Sequence, residues 1–160
     1  EGWTLEAIHT PGHTANHMAF ALRDRNILFS GDHVMGWATS IVAPPDGSMS
    51  DYMASLERLS SRNESTYFPG HGGRLDKARE FTRALRAHRR MRESAILSRI
   101  RKGDRTIPEI VAVIYKDTDP KLHGAAALSV MAHLEDLVAN GLVETNGPVS
   151  IDGNYYPASG

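Results

Sequence analysis

The stretch that decides the fold is His9-Thr-Pro-Gly-His-Thr14, in which His13 follows a Pro-Gly turn after a strand-like segment. Two further turns of the same kind follow along the chain: Ser30-Gly-Asp32, at the end of an apolar run, and Phe68-Pro-Gly-His-Gly72, which carries His71. Imidazole and carboxylate are usual ligands of hydrolytic zinc, and turns at strand ends are where sites are assembled. We therefore take His13, Asp32 and His71 as candidate metal ligands.

The segments around these turns predict alternating strands and helices. Residues 3–8 alternate as a strand, and residues 17–22 and 26–30 predict a hairpin about Arg23-Asp24-Arg25. A Gly/Pro-rich stretch at 36–47 predicts an irregular loop over a cleft. A capping signal at Ser48, followed by apolar residues at helical spacing, predicts a helix. The first part of the chain ends with a predicted short strand at 66–68 and a predicted long helix over 76–102.

Residues 103–160 predict a second, smaller domain. The Thr106-Ile-Pro-Glu109 capping box opens one helix, and a second helix runs over about 122–139 before Asn140-Gly141. Residues 142–144 and 149–156, joined at Asn146-Gly147, read as a small hairpin. Helices followed by a hairpin are typical of a winged helix, so we place the domains at 1–102 and 103–160.

The three turns resemble the later metal-binding motifs of the metallo-beta-lactamase-fold hydrolases, in the branch of beta-lactamase-like proteins that carries a winged helix. The resemblance implies an α+β fold, the second half of an αββα sandwich followed by the winged-helix domain. It also implies that His13 binds one metal ion, that Asp32 bridges two and is the catalytic carboxylate, and that His71 binds the other. The implied cofactor is zinc, as two ions in the intact site.

The same resemblance implies that the chain is incomplete. The family's earlier His-x-His-x-Asp-His motif is absent, since no two of the eight histidines are separated by a single residue. We therefore expect a carboxy-terminal portion of such a hydrolase, inactive alone and holding zinc partially or not at all. Half of a sandwich exposes to solvent the apolar face that the other half would cover. We therefore also expect the isolated chain to associate as a homo-oligomer through that face.

Composition narrows the class of protein. The chain has no cysteine, so any zinc must be held by nitrogen and oxygen. It shows no apolar run long enough to span a bilayer and no signal-peptide pattern, from which we expect a cytoplasmic protein without a membrane partner. The net charge of −1 hides a basic belt: residues 76–105 carry eleven basic and four acidic side chains.

The basic belt favours a phosphodiester substrate but leaves the other substrate classes open. Arg79, Arg83, Arg86 and Arg90 share one predicted helical face, which predicts a contact with the phosphates of RNA, although arginine is also common on exposed helices. The resemblance implies water or hydroxide attack on a small-molecule ester or on a phosphodiester of single-stranded nucleic acid. One alternative is a non-catalytic nucleic-acid-binding module built from helix 76–102 and the winged helix. Another is a thioester hydrolase of the glyoxalase type.

The remaining histidines of the first domain receive supporting roles. We expect His9 and His17 to hold the ligand turns in place rather than to bind metal, because the Pro-Gly pair between them breaks any helix that would align them. For His33 two readings stay open, a hydrogen bond that orients a ligand or a solvated ring. We expect His88 to pack in the apolar stripe of the long helix.

Overall fold

The computed structural model describes residues 2–159, and these form two compact units. The first unit ends at His88 and the second begins at Arg89. A single long helix, α2 (Ala78–Lys102), contributes its first part to one unit and its second part to the other. The domain boundary that we predict between residues 102 and 103 stays a prediction. It separates two domains of the family, whereas the two units described above are defined by their compactness.

The first unit is built on a four-stranded sheet in the order β1-β2-β3-β4. The strands are β1 (Glu6–His9), β2 (Met18–Leu22), β3 (Ile27–Gly31) and β4 (Thr66–Pro69). The first three are antiparallel, and β4 runs parallel to β3 after a crossover through helix α1 (Met49–Ser60). The strands β1, β3 and β4 therefore point the same way, and their carboxyl ends lie at the same edge of the sheet.

Helix α1 begins where its cap predicts. The Ser48 hydroxyl accepts a hydrogen bond from the backbone N–H of Asp51, which satisfies a donor that the helix leaves unpaired. The residues predicted at helical spacing, Tyr52, Leu56 and Leu59, are all buried. The hydroxyl of Tyr67 on β4 donates to the carbonyl oxygen of Leu59 at 3.1 Å, which ties the sheet to the helix.

The other face of the sheet carries a row of exposed aromatic side chains. The register places Phe20, Phe29 and Phe68 beside one another on β2, β3 and β4, and their exposed fractions are 41%, 43% and 36%. The rings of Phe29 and Phe68 lie 6.0 Å apart between centroids. Side chains alternate between the two faces of a strand, so the neighbours Ala19, Ala21 and Leu28 are fully buried on the helix side.

The second unit has the winged-helix pattern. Its elements after α2 are α3 (Ile107–Ile114), α4 (His123–Ala139) and an antiparallel pair, β5 (Val143–Thr145) and β6 (Tyr155–Pro157). The predicted capping box is confirmed, with Thr106 and Glu109 each bonded to the other's backbone N–H. The core of the unit is formed by apolar residues of all these elements and of α2, among them Ile96, Ile100, Ile110, Leu134 and Tyr155.

Two details of the prediction are wrong. The hairpin strand predicted at 149–156 is only Tyr155–Pro157, because the Tyr155 hydroxyl accepts from the N–H of Ser150 and donates to its carbonyl, folding 146–154 into a loop. On α2, His88 is exposed and Arg89 is buried in its place. Leu85 and Ile100 of the predicted stripe are buried as expected, so the prediction is wrong at His88 rather than along the whole helix. In the described part of the chain, no helix has the length and apolar character of a membrane span.

Candidate metal centre

The three turns singled out in the sequence meet at one edge of the sheet. His13 follows β1, Asp32 follows β3 and His71 follows β4. The Nε2 atom of His13 lies 3.8 Å from one carboxylate oxygen of Asp32, and the Nε2 atom of His71 lies 3.7 Å from the other. Asp32 thus stands between the two imidazoles and turns a different oxygen to each.

The His13 turn is held against helix α1 and against a loop. Gly12 has a φ of 134°, and a Cβ there would come within 2.5 Å of Tyr52, so the turn needs glycine both for its backbone and for the close approach. The Nδ1 atom of His13 lies 2.6 Å from the carbonyl oxygen of Ile41, to which an N–H must donate. This fixes the tautomer and leaves the Nε2 lone pair directed at Asp32, as a metal ligand requires.

Glycines on both sides give the Asp32 carboxylate its place. Gly31 has a φ of 54°, and a Cβ on it would stand 2.5 Å from His17 Nε2. A Cβ on Gly70 would stand 2.5 Å from Asp32 Oδ1. The glycines of the Gly-Asp and Pro-Gly-His sequences therefore form turns and also leave the space that the side chains of this site need.

His17 contacts the site through the backbone. Its Nε2 accepts a hydrogen bond from the backbone N–H of Asp32 at 3.1 Å, and its Nδ1 lies 2.8 Å from the hydroxyl of Thr10, which is fully buried. Burial lowers the pKa of His17, and the neighbouring His13 lowers it further. The supporting role predicted for His17 agrees with these contacts.

The other two histidines near the turns differ in surroundings. His9 donates from Nε2 to the carbonyl oxygen of Ala15 at 2.9 Å and so closes the loop that carries His13. His33 is fully buried, with its ring 4.4 Å from that of Tyr52, so the reading of a solvated histidine is wrong. His33 follows Asp32 directly, and the Tyr52 hydroxyl and the Ser40 hydroxyl both donate to its carbonyl oxygen.

A loop that overlaps the stretch predicted to lie over a cleft forms hydrogen bonds to all three turns. We call residues 34–41 the site loop. Its contacts are Gly36 N–H to His71 O at 3.3 Å, the Ser40 hydroxyl to Asp32 O, and Ile41 O from His13 Nδ1 at 2.6 Å. No local sequence signal predicts these contacts, because each joins residues far apart in the chain.

The three candidate ligands do not form a complete cage. Among residues 2–159, no group of three or more His, Cys, Asp or Glu side chains is arranged to hold one ion. The donor chemistry nevertheless fits a hard or borderline cation: two imidazole nitrogens, of which the Nε2 of His13 has a free lone pair, and two oxygens of one carboxylate. The arrangement is therefore that of a carboxylate between two single-histidine positions.

The four arginines predicted to contact RNA are not equivalent. Arg86 is paired with Glu57 of α1. Arg79 donates to the carbonyl oxygen of Arg62 at 2.9 Å. Arg83 and Arg90 are exposed on α2. Two of the four guanidiniums therefore have partners within the first unit, which leaves a shorter basic surface than the sequence pattern indicates.

Comparison with known proteins identifies the family. The profile of the Metallo-beta-lactamase superfamily matches residues 1–71, and that of the Beta-lactamase associated winged helix domain matches residues 106–148. The fold, the three turns at one sheet edge and the appended winged helix together define a metallo-beta-lactamase-type protein with a winged-helix domain. The chain belongs to the metallo-beta-lactamase superfamily.

Individual relatives agree with this assignment. The chain is 33% identical over 145 residues to the beta-lactamase-like protein 2 homolog of Caenorhabditis elegans, which is 90% of this chain and 48% of that protein. It is 32% identical over 132 residues to an atrochrysone carboxyl ACP thioesterase of Cryptosporiopsis sp., 74% of this chain and 40% of that one. A metallo-beta-lactamase family protein from Thermus thermophilus superposes with a TM-score of 0.81 at 26% identity, covering 96% of this chain and 49% of that one. The chain thus spans about half the length of the Caenorhabditis elegans and Thermus thermophilus proteins.

Proposed function

We propose that the protein is a metal-dependent hydrolase in which His13 and His71 bind two different zinc ions and Asp32 bridges them. The observation that carries the proposal is the placement of Asp32, whose two carboxylate oxygens face two separate imidazoles at 3.8 and 3.7 Å. Zinc fits the nitrogen and oxygen donors of a chain without cysteine. When bound, such ions polarise a carbonyl or phosphoryl oxygen and lower the pKa of a water molecule.

The chain's own residues prepare the donors for this role. The Ile41 carbonyl holds His13 in the tautomer whose Nε2 is free, and His17 holds the backbone of Asp32. Zinc takes about four ligands, and each position here has one imidazole and one carboxylate oxygen. The proposal therefore requires further donors from outside residues 2–159, and the chain on its own should bind metal weakly.

For the substrate we propose a carboxylic ester or thioester in preference to a phosphodiester. The name of the Cryptosporiopsis relative, a thioesterase, supports this class. The phosphodiester alternative depends on the arginines of α2, of which Arg86 and Arg79 are engaged within the first unit. A glyoxalase-type thioesterase shares the chemistry, but the winged-helix match distinguishes this chain from the helical tail that we expect of that type.

A non-catalytic nucleic-acid-binding role is the second candidate, favoured by the exposure of Arg83 and Arg90 on α2. Binding of single-stranded RNA by the native protein that weakens with salt, survives chelation and is lost in Arg83→Glu would support it. The same experiment supports the hydrolase if chelation, rather than the charge reversal at Arg83, removes the binding of RNA.

The test of the hydrolase is a turnover assay on the native full-length protein. After chelation and reloading with zinc, esters, thioesters and phosphodiesters are assayed with His13→Ala, His71→Ala and, as control, His88→Ala. Loss of a ligand should lower kcat/KM by about 100-fold or more, since even supporting contacts of ligands are worth about 10 to 100-fold. Activity that is indifferent to chelation and to both substitutions would overturn the proposal.

A further inference from the structure

Within residues 2–159, the site loop leaves two large apolar side chains exposed beside the candidate metal centre. Trp37 is 73% exposed and Ile41 is 51% exposed. Ile41 is the residue whose carbonyl oxygen fixes His13, at 2.6 Å from Nδ1. Ile41, which carries an exposed side chain, is therefore in direct contact with the imidazole of His13.

Trp37 lies against the turn of the second candidate histidine. Its Cδ1 is 2.9 Å from the place where a Cβ on Gly72 would stand, and Gly72 directly follows His71. Gly36, the residue before Trp37, donates its N–H to His71 O at 3.3 Å. The indole is thus placed beside the His71 turn by a backbone hydrogen bond and by the absence of a side chain at Gly72.

We propose that Trp37 and Ile41 bind the apolar acyl chain of the substrate. The inference rests on the proposed ester or thioester hydrolase and adds the part of the substrate that the site loop recognises. Each residue lies beside one of the two candidate histidine turns: Ile41 contacts His13 through its carbonyl oxygen, and the Trp37 indole lies against Gly72, next to His71. An acyl chain that leads away from the reacting carbonyl past these turns would contact the two side chains. Large exposed apolar groups beside polar reactive groups are typical of a binding site for an amphipathic ligand.

The charges around the loop favour a carbon chain over a phosphate. Residues 34–41 read Val-Met-Gly-Trp-Ala-Thr-Ser-Ile and contain no charged side chain. The arginine that follows the His71 turn, Arg74, is paired with Asp76 at 2.5 Å. A phosphodiester chain would need cationic partners along its path, whereas an acyl chain needs only apolar surface.

The first test measures how turnover depends on acyl length. Acetyl, butanoyl, hexanoyl and octanoyl thioesters of one small thiol are assayed with the native full-length protein. We expect kcat/KM to rise with chain length, by at most about fourfold per methylene, the ratio that full burial of a CH₂ group allows. Trp37→Ala should reduce octanoyl turnover by about 10-fold or more and change acetyl turnover by about twofold or less, while Trp37→Leu should keep part of the dependence.

Trp3 offers a matched control. It is the other tryptophan of the chain, is 72% exposed, and precedes β1, whereas the site lies beyond the carboxyl end of that strand. Trp3→Ala should leave the dependence on chain length unchanged. If Trp37→Ala lowers turnover of all thioesters by the same factor, or lowers only the cleavage of single-stranded RNA, the proposal is overturned.

The second test needs neither turnover nor metal. A non-hydrolysable octanoyl amide is added while tryptophan emission is recorded. We expect a shift to shorter wavelength in Trp3→Phe, which keeps Trp37, and no such shift in Trp37→Phe. This result supports the acyl site even if no ester is hydrolysed. Hydrolysis of esters without a shift and without dependence on chain length overturns the acyl site and leaves the hydrolase standing.

Discussion

The Nε2 atom of His17 accepts a hydrogen bond from the backbone N–H of Asp32 at 3.1 Å. An imidazole nitrogen that accepts is unprotonated, so the proton of the neutral ring is on Nδ1, which donates to the buried hydroxyl of Thr10 at 2.8 Å. His17 is thereby held by one hydrogen bond and itself holds the backbone of Asp32, whose carboxylate is the proposed bridge.

Removal of His17 should weaken metal binding without removing a ligand. In His17→Ala the Asp32 N–H loses its acceptor, and we expect zinc affinity of the native protein to fall by about 10 to 100-fold. The measurement is competition with a chromogenic chelator. His9→Ala, which loses a hydrogen bond to Ala15 O, is the control and should change affinity much less. Equal affinities in wild type and His17→Ala would contradict the positioning role.

The glycine before His71 should be required for space. A Cβ in Gly70→Ala would lie 2.5 Å from Asp32 Oδ1 and must displace the carboxylate, so we expect loss of zinc affinity by about 10-fold or more. Gly73→Ala is a matched control, because no atom lies within 4 Å of its added Cβ, and its stability should change by about 0.5 kcal/mol or less. Calorimetric zinc titration of both variants measures the difference, and equal titration curves would refute the steric argument.

The aromatic row on the sheet should cause this chain, prepared alone, to associate. Phe20, Phe29 and Phe68 form one exposed apolar surface, and apolar surface in water costs about 25 cal/mol per Å². Phe29→Lys should reduce the mass found by light scattering, whereas Leu122→Glu, at a still more exposed position of the second unit, should not. A wild-type chain that is a monodisperse monomer of 17.6 kDa would speak against the prediction.

Glu6 should make the first unit sensitive to acid. Hydrogen bonds from Arg62 and Arg23 lower the pKa of Glu6 from 4.5 to about 2. The stabilisation is therefore present above pH about 4.5 and is lost as the pH falls towards 2. Glu6→Gln should lower Tm at pH 7, and its difference from wild type should vanish near pH 2. Glu80→Gln, which removes an exposed ion pair with Lys77 at 3.9 Å, serves as control. A difference that grows on acidification would refute the assignment.

The parts of the fold with local signals could be predicted from the sequence. The hairpin about residues 23–25, the Ser48 cap and the Thr106–Glu109 capping box depend on neighbours in the chain, and all are confirmed. The three turns lie at one edge of the sheet because they end strands that run in the same direction, which the sequence pattern does not specify. Their roles as metal ligands stay a prediction.

The remaining features depend on contacts between distant residues. Local patterning did not distinguish His88 from Arg89 as the buried residue, since both lie near the apolar stripe of α2. The tyrosine hydroxyl that folds 146–154 around Ser150 likewise has no local signature. The sequence predicts a loop over a cleft at 36–47, but the hydrogen bonds of the site loop to the turns of His13, Asp32 and His71 join residues far apart in the chain and have no local signal.

The central claim is that Asp32 is shared by two metal ions. Elemental analysis of the native full-length protein after dialysis tests it most directly. We expect about two zinc ions per chain in wild type and in the control Asp51→Ala, about one in His13→Ala and in His71→Ala, and the lowest content in Asp32→Ala. Zinc content equal to that of wild type in all three variants would contradict the account.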